Sequence, residues 1–154
     1  MSITSFAAFA LAVLASPVLA APLAYVPNEG SASISVIDTA TDRVVDTLKV
    51  GQKPRGIAIA PDGKRLYVSD QTANALVVWD LATGKHVAKI DLGDSPEAIY
   101  LSPDGKWLSA AIEENDLVAI VDVATLAVAR KIKMKGKNPE HAVFSPDMKW
   151  LYVS

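Results

Sequence analysis

An all-β fold is what the sequence predicts, and three observations carry that expectation. Apolar residues arrive in short runs rich in Val and Ile, turn residues punctuate the runs, and the pattern repeats about every 42 residues. Tyr25-Val26-Pro27-Asn28 recurs as Tyr67-Val68-Ser69-Asp70 and as Tyr152-Val153-Ser154, with a degenerate copy at Leu108-Ser109-Ala110-Ala111. Asp38-Thr39-Ala40-Thr41 returns as Asp80-Leu81-Ala82-Thr83 and Asp122-Val123-Ala124-Thr125. Pro54 with Pro61-Asp62-Gly63 returns as Pro96 with Pro103-Asp104-Gly105, then as Pro139 with Pro146-Asp147-Met148 after one inserted residue. Four runs fill one period: Gly56 to Ala60, Arg65 to Ser69, Ala75 to Asp80 and His86 to Asp91. Four antiparallel strands per repeat make one blade of a β-propeller.

The turns have a mechanism. In Pro-Asp-Gly, Pro presets φ, Asp bonds the local backbone and Gly takes the positive φ, which closes a tight hairpin between the first two strands. Met148 stands where that glycine belongs and is expected to cost about 1 kcal/mol if the position needs positive φ. Asp38, Asp80 and Asp122 are read as structural, each accepting from backbone N–H groups two or three residues on.

From Leu23 to Ser154 there is room for about three blades, whereas a closed ring takes about four to eight. The ring is therefore expected to be incomplete, the chain forming the N-terminal part of a propeller of about seven blades. Leu151 to Ser154 fall inside an expected second strand, and terminal blades of this kind leave strand edges to be covered.

Residues 1–20 carry no charged side chain, and an apolar run from Phe6 to Leu14 leads through Pro17 to Val18-Leu19-Ala20. This reads as a secretory signal peptide cleaved before Ala21, although no Lys or Arg precedes the run. Residues 21–154 then form a periplasmic or secreted repeat domain with no stable membrane insertion. Fifteen basic and seventeen acidic residues leave a net charge of -2, which offers no broad electropositive surface for nucleic acid. With no cysteine there is no disulfide, thiolate zinc site, thiol nucleophile or c-type haem attachment.

Tyr25 to Asn28 followed by Ile34 to Thr41 resembles the YVTN-type propeller repeat, and Leu48 to Gly51, Pro54-Arg55-Gly56 and Pro61 to Lys64 continue the likeness. The resemblance covers nearly the whole chain after residue 20. It is especially similar to periplasmic propellers associated with pyrroloquinoline-quinone-dependent alcohol catabolism, which implies an accessory role. Relatives with similar blades include haem-binding propellers of nitrite reductases, sugar-lactone hydrolases and surface-layer proteins, so the resemblance implies a fold more sharply than an activity.

In such a propeller the fourth-to-first and second-to-third strand connections share the face where ligands bind. Pro54-Arg55-Gly56 becomes Pro96-Glu97-Ala98 and Pro139-Glu140-His141, which places Arg55, Glu97, Glu140 and His141 around the channel mouth. His141 stands out because the other copies have only Gly or Ala there. It reads as a metal or cofactor ligand or as a general base beside Glu140, or else as a partly exposed histidine bonded to a neighbouring loop. Glu113, Glu114 and Asp116 offer oxygens suited to calcium but lack the alternating spacing of a calcium loop, so a solvated turn is the competing reading. Lys131, Lys133, Lys135 and Lys137 fall at period two on the expected outer strand of the third blade, a device against edge pairing or a dock for an acidic partner. His86 is expected at the surface, and Trp79, Trp107 and Trp150 are expected to pack between blades.

Several chemistries drop out. Gly51-x4-Gly56 is followed by Ile57 where a phosphate loop needs Lys, and no Gly-x-Ser-x-Gly elbow appears. Asp80 to Lys85 resembles the start of the tryptophan-docking motif of quinoprotein dehydrogenases, yet Ala88 stands where the docking tryptophan belongs. No cofactor is implied. The residues favour a binding or accessory module with a protein partner or small ligand on the loop face, against a propeller enzyme of the lactone-hydrolase or haem-redox kind.

Overall fold

A computed structural model describes residues 22–154; the expected signal peptide and its cleavage site lie outside the described residues. Among the described residues thirteen strands form four antiparallel sheets in chain order. Blade one is β1 (Leu23–Asn28), β2 (Ser33–Asp38) and β3 (Arg43–Leu48). Blade two is β4 (Pro54–Ile59), β5 (Arg65–Asp70), β6 (Ala75–Asp80) and β7 (Lys85–Asp91). Blade three is β8 (Pro96–Leu101), β9 (Trp107–Ile112), β10 (Leu117–Asp122) and β11 (Ala127–Lys133). Blade four holds β12 (Ala142–Phe144) and β13 (Leu151–Val153). The propeller expectation holds, as an open arc with two four-stranded blades between a three-stranded and a two-stranded sheet.

Strand alternation builds the core between blades. Leu66 and Val68 on β5 and Val77 on β6 join Ile34 and Val50 in a buried cluster between blades one and two. Tyr67, Leu76 and Val78, on the opposite faces of the same strands, join Ile99, Leu108, Ala110 and Val121 between blades two and three. The middle strands of blade two are thus apolar on both faces, because that blade is covered on both sides. The degenerate copy still forms β9, its Ser109, Ala110 and Ala111 buried without exposure.

The repeat extends to irregularities. A register shift recurs at Val36/Ile37, Val78/Trp79 and Ile120/Val121, leaving one extra residue in each outer strand. Gly63, Gly105 and Met148 adopt φ of 70°, 69° and 59°, so the turn does require a left-handed residue and Met148 occupies it without glycine's freedom. Asp38 accepts from the N–H groups of Ala40 and Thr41, Asp80 from Thr83, and Asp122 from Ala124 and Thr125, as their turn positions predict.

Two expectations are corrected. β11 ends at Lys133, so Lys135 and Lys137 lie in the following loop; the period-two lysine row does not continue along a strand. Trp79 does pack between blades one and two, with its ring edge-on to exposed His86 at 4.7 Å. Trp107 and Trp150 also meet between blades, three and four, but around an open apolar cavity of about 480 Å³ beside Phe144, and Trp150 is 66% exposed, not packed.

Candidate functional site

The inner strands β4, β8 and β12 run side by side because two devices hold them close. Ser69 accepts from the Gly56 N–H at 2.7 Å and donates to the Glu97 carbonyl at 2.6 Å, tying blade two to blade three. Ser109 donates to the Ala142 carbonyl of blade four at 2.5 Å. A Cβ on Gly56 would lie 2.7 Å from the Glu97 carbonyl oxygen and from the Ile99 nitrogen, so glycine lets two backbones approach.

On the loop face three repeat positions converge. Glu29, Gln71 and Glu113 follow the equivalent strands β1, β5 and β9; Lys53, Ser95 and Asn138 precede the inner-strand prolines; Arg55, Glu97 and Glu140 follow those prolines. At each seam the loop residue of one blade reaches the residue before the proline of the next. Lys53 pairs with Glu29 at 3.1 Å, Gln71 donates to Ser95 at 3.1 Å and Asn138 donates to Glu113 at 3.4 Å. Arg55 is the hub, donating to Glu97 at 2.5 Å and to Glu29 at 2.8 Å, with Glu140 at 3.8 Å. Gln71 also donates to Glu97, whose side chain is only 2% exposed.

Burial pushes the Glu97 carboxyl above its ordinary pKa. Arg55 opposes that shift, and the Glu140 and Glu113 charges add to it. Glu29 goes the other way, held below its ordinary value by Arg55 and Lys53. Charge changes sign along the arc: the first seam pairs Glu29 with two cations, the second holds Gln71, Ser95 and Glu97, and the third sets Glu113 and Glu140 beside Asn138.

His141 lies apart from the carboxylate chain. It is exposed, and its Nδ1 sits 2.8 Å from the Tyr100 hydroxyl on the neighbouring inner strand. Of the suggested calcium oxygens, Asp116 is held by Lys137 at 2.6 Å, Lys133 at 3.4 Å and the Asn138 N–H at 3.1 Å. Lys137 foremost, then the Asn138 N–H, pull its pKa down to about 2. Glu113 faces Ser95 and Asn138, and Glu114 is exposed. Among the described residues no three His, Cys, Asp or Glu side chains gather as a metal cluster.

Arg55, Glu97 and Glu140 are therefore brought into contact through Arg55, whereas His141, next to Glu140 in sequence, bonds Tyr100, and Glu114 is exposed. Glu29, Gln71 and Ser95 were missed by reading motifs singly, although their spacing marks them: 29, 71 and 113 are one repeat position. Asp70 was also missed. It is buried, and its carboxylate clamps the turn into β4 by accepting from the Gln52 and Lys53 N–H groups at 2.7 and 3.1 Å.

No curated protein matches this chain. A solved structure of hydrazine synthase from Kuenenia stuttgartiensis superposes with a TM-score of 0.79 at 24% identity, over 95% of this chain and 45% of that one. The chain thus spans less than half of that protein, and the likeness is one of fold. A family model described as a YNCE-like β-propeller matches residues 18–102, more than half of the sequence. The chain belongs to the YNCE-like β-propeller family.

Proposed function

We propose that this protein is exported and acts as a binding or accessory module, with a protein partner or small ligand held at the loop-face mouth by Arg55, Glu97, Glu140 and His141. The observation that carries the reading is the variation in side-chain chemistry at three positions that the repeat holds constant in place. The structural Asp38, Asp80 and Asp122 turns keep one residue from blade to blade, whereas the mouth presents Arg, then Glu, then Glu at one position. Acid predominates at the third seam, where among the described residues Glu113 has no cation in ion-pair range and Glu140 has only Arg55 at 3.8 Å, and this favours a cationic group on the partner. The link to quinone-dependent alcohol catabolism rests on the repeat's resemblance.

The test is capture from a periplasmic extract with the unaltered chain and with a Glu140→Lys, His141→Ala variant. A specific partner retained by the first and lost by the second supports the reading. Equal capture by both, or turnover of a small substrate by the unaltered protein, overturns it.

A second reading, as part of a lactone hydrolase or redox propeller, draws on Glu97, since a buried carboxyl with a raised pKa in a mouth suits a general acid or base. Lactone turnover lost in Glu97→Gln and His141→Ala would favour it.

A further inference from the structure

On the face opposite the mouth, the hairpin turns of blades two and three enclose a cavity of about 540 Å³ lined by Asp62, Lys64, Arg65, Tyr67, Asp80 and Val123. At its base Tyr67 is 1% exposed, and among the described residues its hydroxyl has no well-formed hydrogen bond, Arg65 being the side chain that comes nearest to one. A buried phenol normally finds one. Burial raises its pKa, with Arg65 opposing and Asp62 reinforcing the shift, so the hydroxyl lies near the two charged residues of the wall.

Arg65 is the second anomaly. The same repeat position holds Leu23, Trp107 and Trp150 in the other blades, so the fold asks for an apolar residue there and not a cation. Its guanidinium makes no ion pair among the described residues, and it also borders an adjoining cavity of about 330 Å³ that contains Trp107. Each nearby carboxylate is held to its own turn through one oxygen: Asp80 Oδ1 accepts from the Thr83 N–H and hydroxyl, and Asp62 Oδ1 accepts from the Lys64 N–H.

We propose that this cavity binds a small ligand through an oxyanion, a carboxylate or a phosphate, held by the Arg65 fork and the Tyr67 hydroxyl with Lys64 at the rim. Arg65 and Tyr67 bring donors that no ion pair among the described residues holds, and an arginine fork with a hydroxyl beside it matches two or three oxyanion oxygens. Lys64 and Arg65 balance Asp62 and Asp80, so recognition comes from directed hydrogen bonds and not from net charge. The volume is that of a small-molecule site. This site is separate from the loop-face mouth and does not depend on it.

The probes are acetate and inorganic phosphate, each titrated into the full chain at constant ionic strength by calorimetry and by tryptophan fluorescence, to which Trp107 contributes. Saturable binding of one of them is expected; a preference for acetate indicates a carboxylate ligand, and for phosphate a phosphate ester. Arg65→Leu, which installs the residue found in blade one, weakens binding by about tenfold or more, and Tyr67→Phe by about threefold. Absence of saturation with both anions, or unchanged affinity in Arg65→Leu, overturns the proposal. Tyr67→Phe removes only a hydroxyl and keeps the test decisive should Arg65→Leu fold poorly, since equal affinity there also rejects the site.

Discussion

Arg55 and Glu97 occupy the same position of successive repeats, 42 residues apart, and their side chains meet at 2.5 Å. A repeat position that faces its own copy in the next blade cannot carry one charge throughout, because like charges would repel. Here it carries Arg, then Glu, then Glu, and Arg55 reaches Glu29, Glu97 and Glu140 on three other blades. The ion pair therefore joins blades as well as shaping the mouth.

Arg55→Ala leaves Glu97 buried without its cation. Breaking a fully buried pair costs about 3–5 kcal/mol, but Arg55 is 41% exposed and water screens it, so about 1–2 kcal/mol is expected at neutral pH. The sign with pH follows from the raised Glu97 pKa. The folded state holds that proton more tightly than the unfolded chain, so the cost of ionised Glu97 appears as pH rises from its ordinary 4.5 through the raised value. Urea midpoints of variant and parent should draw together as pH falls below 4.5, and meet once Glu29, held below its ordinary value by Arg55, is protonated as well. A gap independent of pH would assign Arg55 a packing role.

Ser69 is the buried link between the inner strands of blades two and three. Ser69→Ala removes the acceptor of the Gly56 N–H and the donor to the Glu97 carbonyl, leaving two backbone groups unpaired where water does not reach. The expected loss is about 1–3 kcal/mol. Gly56→Ala attacks the same contact by overpacking, with an expected cost of about 1–3 kcal/mol. The two effects should be markedly non-additive in a double-mutant cycle, since both act on one interstrand contact. Simple additivity would show that the strands are held by something else.

Asp116 contributes stability with the opposite pH dependence from Glu97. Its folded pKa of about 2 lies below the ordinary 3.8, because Lys137, the Asn138 N–H and Lys133 all favour the charged form. The unfolded chain therefore takes up the proton first on acidification. Stability from this group is fully present above pH 3.8 and is lost as pH falls through about 2. Comparing Asp116→Asn with the parent by denaturant titration should show a deficit at neutral pH that closes over that window; a deficit that persists at pH 2 would argue against the lysine pairs.

Most of the fold was legible because its periodic signals are local. A turn such as Pro61-Asp62-Gly63 and a cap such as Asp80 with Thr83 are written in adjacent residues, and each recurs about 42 residues on. The mouth was legible only in part, since Arg55, Glu97 and Glu140 announce themselves beside prolines whereas Glu29, Gln71 and Ser95 do so only when repeats are superposed. Closeness across a seam was harder to read. Ser69 and Ser109 sit at different repeat positions, two residues out of register, yet both reach the next blade's inner strand, and only the three-dimensional spacing shows it. The lysine row failed for a related reason: strand β11 stops at Lys133, and beyond it Lys137 turns back to Asp116.

Met148 offers the most direct check of how closely the last repeat follows the others. Its φ of 59° matches the 70° of Gly63 and the 69° of Gly105, so all three turns have one backbone shape and only Met148 pays the left-handed penalty of a side chain. Its side chain lines the apolar cavity beside Trp150, where an open, solvent-reached contact recovers little. Met148→Gly should therefore stabilise the chain by about 1 kcal/mol, read as a higher urea midpoint with an unchanged slope. A lower midpoint would mean that the contacts of Met148 with Trp107 and Trp150 outweigh the backbone strain, and that the exposed apolar face near blade four holds together more firmly than its 66% exposed tryptophan indicates.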